Sequence, residues 1–175
     1  EMIKNRPKEL AEHFVAEAEK SGVAGVDVDY EGFPGEMRDA YTDFVCMLTE
    51  KMHSAGKMVS ICVGPLEERV AGYHKRLNQV PFVDAHRIGP VVDQFRILCY
   101  DMYVPPSIFV GPTATVPWIH DVLSYFRKSV PKEKIIAGLS IHSIDWNMSD
   151  PKKSCALYDH DRIVELSKKS ICGMG

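Results

Sequence analysis

The chain has 175 residues, 45% of them hydrophobic and 26% charged, with a formal net charge of −3. That profile fits one globular domain with a proper core, and the scattered Lys and Arg give no clustered basic face for nucleic acid. Its longest apolar runs fall well short of the roughly 20 residues that span a bilayer, and the polar opening EMIKNRPKEL has no signal-peptide pattern. Residues 7–20 are predicted as a helix, because Leu10, Phe14, Val15 and Ala18 recur at helical spacing between charges and Ser21-Gly22 ends the run. Residues 25–31 (GVDVDYE) are predicted as a strand. Residues 36–55 follow as a helix, with Tyr41, Phe44, Val45, Leu48 and Met52 on one stripe and Gly56 as its stop. Further strands are expected at 57–63 (KMVSICV), 95–103 (FRILCYDMY) and 134–141 (KIIAGLSI). A short helix around 85–88 and helices at 117–129 and 160–169 lie between and after them.

Strands alternating with helices argue for parallel pairing through right-handed crossovers. The strands start near residues 25, 57, 95 and 134, so the repeat is wider than the roughly 31 residues per unit of an eight-fold barrel of about 250 residues. That suits a barrel with enlarged loops on one face. Four strands cannot close a barrel, so the alternatives are an open α/β sheet and half of a (β/α)8 TIM barrel. No linker-like segment divides the chain, and residues 1–175 are expected to form a single, partial domain. Such a half exposes strand edges, and alone it is expected to be poorly stable or to self-associate.

The most informative segment is Ala24-Gly-Val-Asp-Val-Asp-Tyr-Glu31. On a continuous strand Asp27, Asp29 and Glu31 share one face, while Val26, Val28 and Tyr30 share the other. Three neighbouring carboxylates repel one another, and burying them uncompensated costs several kcal/mol. Such an arrangement is tolerated where it perturbs a carboxyl for acid–base work, and Glu31, at the C-terminal end of the strand, is the candidate acid. One competing reading is the solvated face of an edge strand, against which the flanking helix crossovers count. Another is a divalent-metal site held by carboxylate oxygens.

AGVDVDYE resembles the acidic strand of family 18 glycoside hydrolases, DGxDxDxE. Asp27, Asp29 and Glu31 match its second and third Asp and its Glu, and Ala24 departs from its first Asp. Leu98-Cys-Tyr-Asp101 is similar to the family's Met-x-Tyr-Asp motif. Val116-Pro-Trp-Ile119 and the run from Val130 to Leu139 resemble the stretch leading into the seventh barrel strand. The wording is closest to the spore-germination and cortex-lytic type, with His142-Ser-Ile-Asp-Trp146 in place of its YDW-like run.

The resemblance implies a TIM barrel of which this chain carries about strands four to seven, the missing half of the barrel being a possible partner. It implies a retaining hydrolase of β-1,4-linked N-acetylglucosamine glycans, chitin or peptidoglycan in type, that needs no cofactor. It points to an extracellular, cell-wall or spore-associated setting. Family 18 is a named exception to the two-carboxylate scheme, because the substrate's own acetamido group is the nucleophile. Carried onto this sequence, Glu31 protonates the glycosidic oxygen, Asp29 orients the acetamido N–H, and Asp27 tunes Asp29 from behind. Tyr100 hydrogen-bonds the acetamido group, Asp101 contacts the sugar or Glu31, and His142 and Trp146 border the sugar pocket. The other function classes are a catalytically weak or inactive glycan-binding relative and a metal-dependent hydrolase on an open α/β sheet.

Of the seven histidines none forms an i, i+4 pair or an HExxH. His13, His53 and His120 read as helix-surface residues. The five cysteines show no CxxC pair, and Cys62 and Cys99 are expected as buried thiols. Trp118 and Trp146 are both expected in loops.

Overall fold

A computed structural model describes residues 1–66, 81–103, 109–150, 153–157 and 160–172. The elements in chain order are α1 (Met2–Asn5), α2 (Pro7–Lys20), β1 (Gly25–Val28), α3 (Arg38–Ser54), β2 (Met58–Val63), α4 (Ala85–Ile88), β3 (Gln94–Leu98), α5 (Val116–Phe126), β4 (Ile135–Gly138), β5 (Ser143–Asp145), β6 (Cys155–Leu157) and α6 (His160–Cys172). Single 3-10 turns precede α3 and β4. The described chain forms two compact units. One holds residues 1–98 and 120–137, the other residues 99–119 and 138–175.

A four-stranded sheet runs in the order β1-β2-β3-β4. β1 pairs with β2 in parallel, placing Asp27 beside Ser60, and β2 pairs with β3 in parallel, placing Cys62 beside Arg96. Consecutive strands lying side by side, with α3 between the first two, is barrel-like winding. β1 is the outer strand of this sheet among the described residues.

The sheet has two unlike faces because side chains alternate. Val28, Val59, Ile61, Val63, Phe95 and Ile97 are buried. Helices cover them, since the predicted stripe Tyr41, Phe44, Val45, Leu48 and Met52 of α3 is fully buried and the Phe126 ring of α5 sits 5.4 Å from Phe95. α2 docks on the outside of α3, with Phe14 and Phe44 rings 6.3 Å apart. The other face carries Asp27, Ser60, Cys62, Gln94 and Arg96.

β1 ends at Val28, three residues before the predicted end, and β3 ends at Leu98 rather than at residue 103. Asp101 has φ 60°, which a strand cannot accommodate. Trp118 lies in the first turn of α5 rather than in a loop, and Thr115 caps that turn, its Oγ1 3.4 Å from the Trp118 N–H. In the second unit β5 and β6 pair antiparallel, Ile144 beside Ala156, an element the sequence did not announce.

The last turn of α3 is tied to the sheet through Asp93. Its Oδ2 accepts from the Val59 N–H (2.7 Å) and lies 2.9 Å from His53 Nε2. Burial alone would raise this carboxyl, but the Val59 bond, His53 and Lys134 outweigh it and the net shift is downward. A pKa lower in the folded than in the unfolded chain stabilises at pH above the unfolded value, and the contribution disappears as pH falls through the folded one. Asp93→Ala is therefore expected to destabilise at neutral pH by about 1–2 kcal/mol, chiefly by orphaning the Val59 N–H. The gap should narrow below the ordinary carboxylate value of 3.8. Urea unfolding of both proteins at pH 7 and pH 3 checks it, and an equal gap at both would contradict the assignment.

Candidate active site

In the first unit the acidic segment changes character along its length. Asp27 is still on β1 and is compensated on three sides. Ser60 Oγ donates to its Oδ1 (2.5 Å), Arg96 Nη1 donates to its Oδ2 (2.9 Å), and the Cys62 thiol reaches Oδ2 at 3.6 Å. Burial, Asp27 and Asp29 push the Cys62 thiol up to about 12 against the opposing effect of Arg96, so it stays protonated and able to donate. A recess of about 210 Å³ lies at the N-terminal ends of β1, β2 and β3, where Gly25, Met58 and Asp93 line it together with Asp27, Ser60 and Arg96; Asp29 and Glu31 are not among its lining residues. The three carboxylates are thus neither buried nor uncompensated. Asp27 has its own cation and hydroxyl, and Asp29 and Glu31 are exposed.

Asp29 and Glu31 lie beyond the strand, so the shared-face argument holds for Asp27 alone. A different device presents Glu31. Tyr30 and Phe33 stack on each other at 5.5 Å, and both meet Tyr41 of α3 edge-on, at 6.5 and 6.0 Å. Phe82 completes the cluster, 5.6 Å from Phe33 and 5.2 Å from Tyr41. Between the two pinned rings Gly32 takes φ 70°, where a residue with a Cβ would be strained. The chain Tyr30-Glu31-Gly32-Phe33 is held by its flanking rings, and Glu31 is left in solvent. Arg38 braces the same region by donating to the Pro81 (2.8 Å) and Val83 (3.1 Å) carbonyls and pairing with Asp84. Tyr41 is fully buried; its burial, with Tyr30, Asp29 and Cys62 nearby, raises its phenol, which stays neutral.

The second unit brings together residues from the ends of β3 and β4. His142 Nε2 lies 3.0 Å from Asp101 Oδ1, and His142 Nδ1 lies 2.8 Å from Ser140 Oγ. The Tyr100 ring meets the His142 ring edge-on at 6.0 Å. Trp146, just after β5, donates its indole N–H to the Gly111 carbonyl at 2.8 Å. Gly111 has no room for a side chain, because a Cβ there would stand 2.3 Å from the Tyr103 ring.

Sequence reasoning missed Ser60 and Arg96 as partners of Asp27 and Ser140 as a partner of His142. Arg96 is 69 positions from Asp27, and the only available signal was a cation between the apolar Phe95 and Ile97 of a strand. Cys62 and Cys99 are buried thiols as expected. Among the described residues no group of three or more His, Cys, Asp or Glu is placed to hold a metal ion, and no helix is long and apolar enough to cross a membrane.

The sequence model of the family described as "Glycosyl hydrolases family 18" matches residues 1–172. The chain belongs to glycosyl hydrolase family 18. Among curated members it is 28% identical over 128 residues to YdhD of Bacillus subtilis, named as a candidate sporulation-specific glycosylase, a match covering 71% of this chain and 28% of that protein. It is 25% identical over 153 residues to the cortical fragment-lytic enzyme of Bacillus subtilis, covering 85% of this chain and 32% of that one. The crystal structure of YdhD superposes with a TM-score of 0.85 at 22% identity, covering 96% of this chain and 55% of that one. A chitinase from Chromobacterium violaceum gives 0.84 at 22% identity, covering 95% and 50%. At that identity the structural likeness speaks for the fold. This α/β chain with its parallel strands corresponds to about half of a family 18 TIM barrel, and it spans about a third of the two curated relatives.

Proposed function

We propose that the chain carries the catalytic strand of a retaining glycoside hydrolase acting on β-1,4-linked N-acetylglucosamine glycans of chitin or peptidoglycan type, within a single catalytic domain that includes all 175 residues. The observation that carries the reading is the presentation of Glu31. The residue is exposed and sits between two rings anchored in the core, directly after Asp27 and Asp29, in a chain matched by the family over nearly its whole length.

In this reading Glu31 donates its proton to the glycosidic oxygen as that bond breaks. The substrate's acetamido oxygen attacks the anomeric carbon from the other side. Asp29 orients the acetamido N–H and offsets the positive charge of the oxazolinium-like intermediate. Water then opens that intermediate, Glu31 taking a proton from the water and returning to its starting state. Asp27, fixed by Arg96 and Ser60, supplies a standing negative charge behind Asp29. Tyr100 donates to the acetamido group, Asp101 and Trp146 are proposed as sugar contacts, and His142 borders the same pocket. The names of the relatives, a cortical fragment-lytic enzyme and a chitinase, support a glycan with 2-acetamido groups.

The acetamido requirement gives the test. The longest polypeptide that carries the chain should cleave a fully N-acetylated chito-oligosaccharide and leave its de-N-acetylated counterpart intact. Equal cleavage of both would overturn the substrate-assisted mechanism. Ala24, where the family motif has Asp, favours one other reading, a glycan binder with little activity. It predicts binding of the acetylated sugar without cleavage.

A further inference from the structure

Asp101 is the one non-glycine residue with positive φ among the described residues. An L-residue in the left-handed region is strained, and such strain persists where surrounding contacts fix it, commonly at functional sites. Here the fixing contact is identifiable. Asp101 is exposed, but its Oδ1 is 3.0 Å from Nε2 of His142, whose side chain is only 14% exposed.

The hydrogen-bond arithmetic around His142 is restrictive. A neutral imidazole has one N–H and one bare nitrogen. A carboxylate accepts only, so the N–H belongs on Nε2, facing Asp101. Nδ1 is then the acceptor, and Ser140 Oγ, 2.8 Å away, donates to it. If the ring is protonated, Nδ1 becomes a donor as well. Ser140 can respond by turning its own proton to the His142 carbonyl, 3.1 Å away, and accepting from Nδ1. The His142 N–H, 3.1 Å from the same oxygen, holds the serine in place in both states. The Ser140 hydroxyl thus reverses with the charge of the ring, and Nε2–H faces Asp101 throughout. The Tyr100 ring edge, 6.0 Å from the imidazole at 82°, limits ring rotation from one side.

We propose that His142, backed by Ser140, is a positioning residue for Asp101. It holds the Asp101 carboxylate as a charge-assisted acceptor for a sugar hydroxyl. The inference rests on the glycan reading above and sharpens it. His142 acts through Asp101 rather than on the sugar.

Two measurements on the longest polypeptide carrying the chain decide it. Long-range proton–nitrogen NMR on histidine-labelled protein reports the tautomer of His142, its signals identified by their loss in His142→Gln. The neutral ring should carry its proton on Nε2; a ring protonated on Nδ1 overturns the proposal whatever the sugar does. Calorimetry with N-acetyl-chito-oligosaccharide then compares variants. Asp101→Asn and His142→Phe should each weaken binding about tenfold, and the double variant no more than either alone, the mark of one coupled unit. His142→Gln, which keeps an N–H donor, should stay within about threefold of the unaltered protein. Additive losses, or a Gln variant as weak as Phe, would overturn the positioning role. If the unaltered protein binds the sugar and His142→Phe binds it equally, this proposal alone fails. If the unaltered protein binds no N-acetylated sugar, the glycan reading fails and this inference with it.

Discussion

Glu31→Gln should lower hydrolysis of an N-acetylated chito-oligosaccharide by about two to four orders of magnitude, the usual worth of a positioned general acid. Sugar binding should stay within a few-fold. Gln matches Glu in size but has no proton of comparable acidity to deliver. The loop that carries it should not change, because it is held by Tyr30 and Phe33 against Tyr41 and by Gly32, not by Glu31. Glu31 is exposed, so the exchange should alter stability by no more than about 0.5 kcal/mol. Turnover of a fluorogenic substrate and the unfolding midpoint of both proteins provide the check. A variant with more than a tenth of the original rate would remove Glu31 from the role of acid. A variant that is inactive because it is unfolded would be recognised by its midpoint.

Gly25→Ala should be the most damaging glycine-to-alanine change among the described residues of the first unit. A Cβ at Gly25 would lie 2.3 Å from the Met58 carbonyl oxygen and 2.8 Å from the Met58 carbonyl carbon. Both are backbone atoms of the paired strand, so no rotamer change relieves the clash, and β1 and β2 must separate or slide. Overpacking of this kind costs about 1–3 kcal/mol. The displacement also reaches chemistry, because Asp27 stands two residues further along β1 and depends on Ser60 of β2 and Arg96 of β3 for its position. Activity should therefore fall together with stability. Gly64→Ala is the matched control. No atom lies within 4 Å of the Cβ it would add, and it should change stability by no more than about 0.5 kcal/mol. Urea midpoints of the two variants side by side test the pair, and equal midpoints would contradict the strand-contact account.

Much of the fold could be read from periodicity. The α3 stripe is buried where the 3.6-residue spacing puts it, α2 ends where Ser21-Gly22 indicates, and α4 covers the expected residues 85–88. Strand ends were harder. DVDYE and LCYDMY continue the alternation of a strand, but Tyr30 turns into an aromatic cluster and Asp101 takes positive φ, and neither event has a local signature. The β5–β6 pair rests on backbone partners 10 to 14 positions apart in a polar stretch without hydrophobic alternation.

The candidate site divides in the same way. Glu31, Asp29 and Asp27 are legible because their spacing is a motif. The groups that compensate Asp27 are not, because Ser60 and Arg96 are brought in from 33 and 69 positions away; His142 was named as a pocket residue, but its pairing with Asp101, 41 positions away, was not read. Gly25 was visible as a motif letter, but its reason, the close approach of the Met58 carbonyl, belongs to the folded strand pair.

The central claim is that Glu31 works with the substrate's own acetamido group, two successive displacements that preserve the anomeric configuration. Proton NMR during cleavage of an N-acetyl-chito-oligosaccharide by the longest polypeptide carrying the chain reads this directly. The first-formed reducing end should be the β-anomer, with the α-anomer appearing only later through mutarotation. A first-formed α-anomer would mean a single displacement by water, and would contradict the assignment of Asp29 and Glu31.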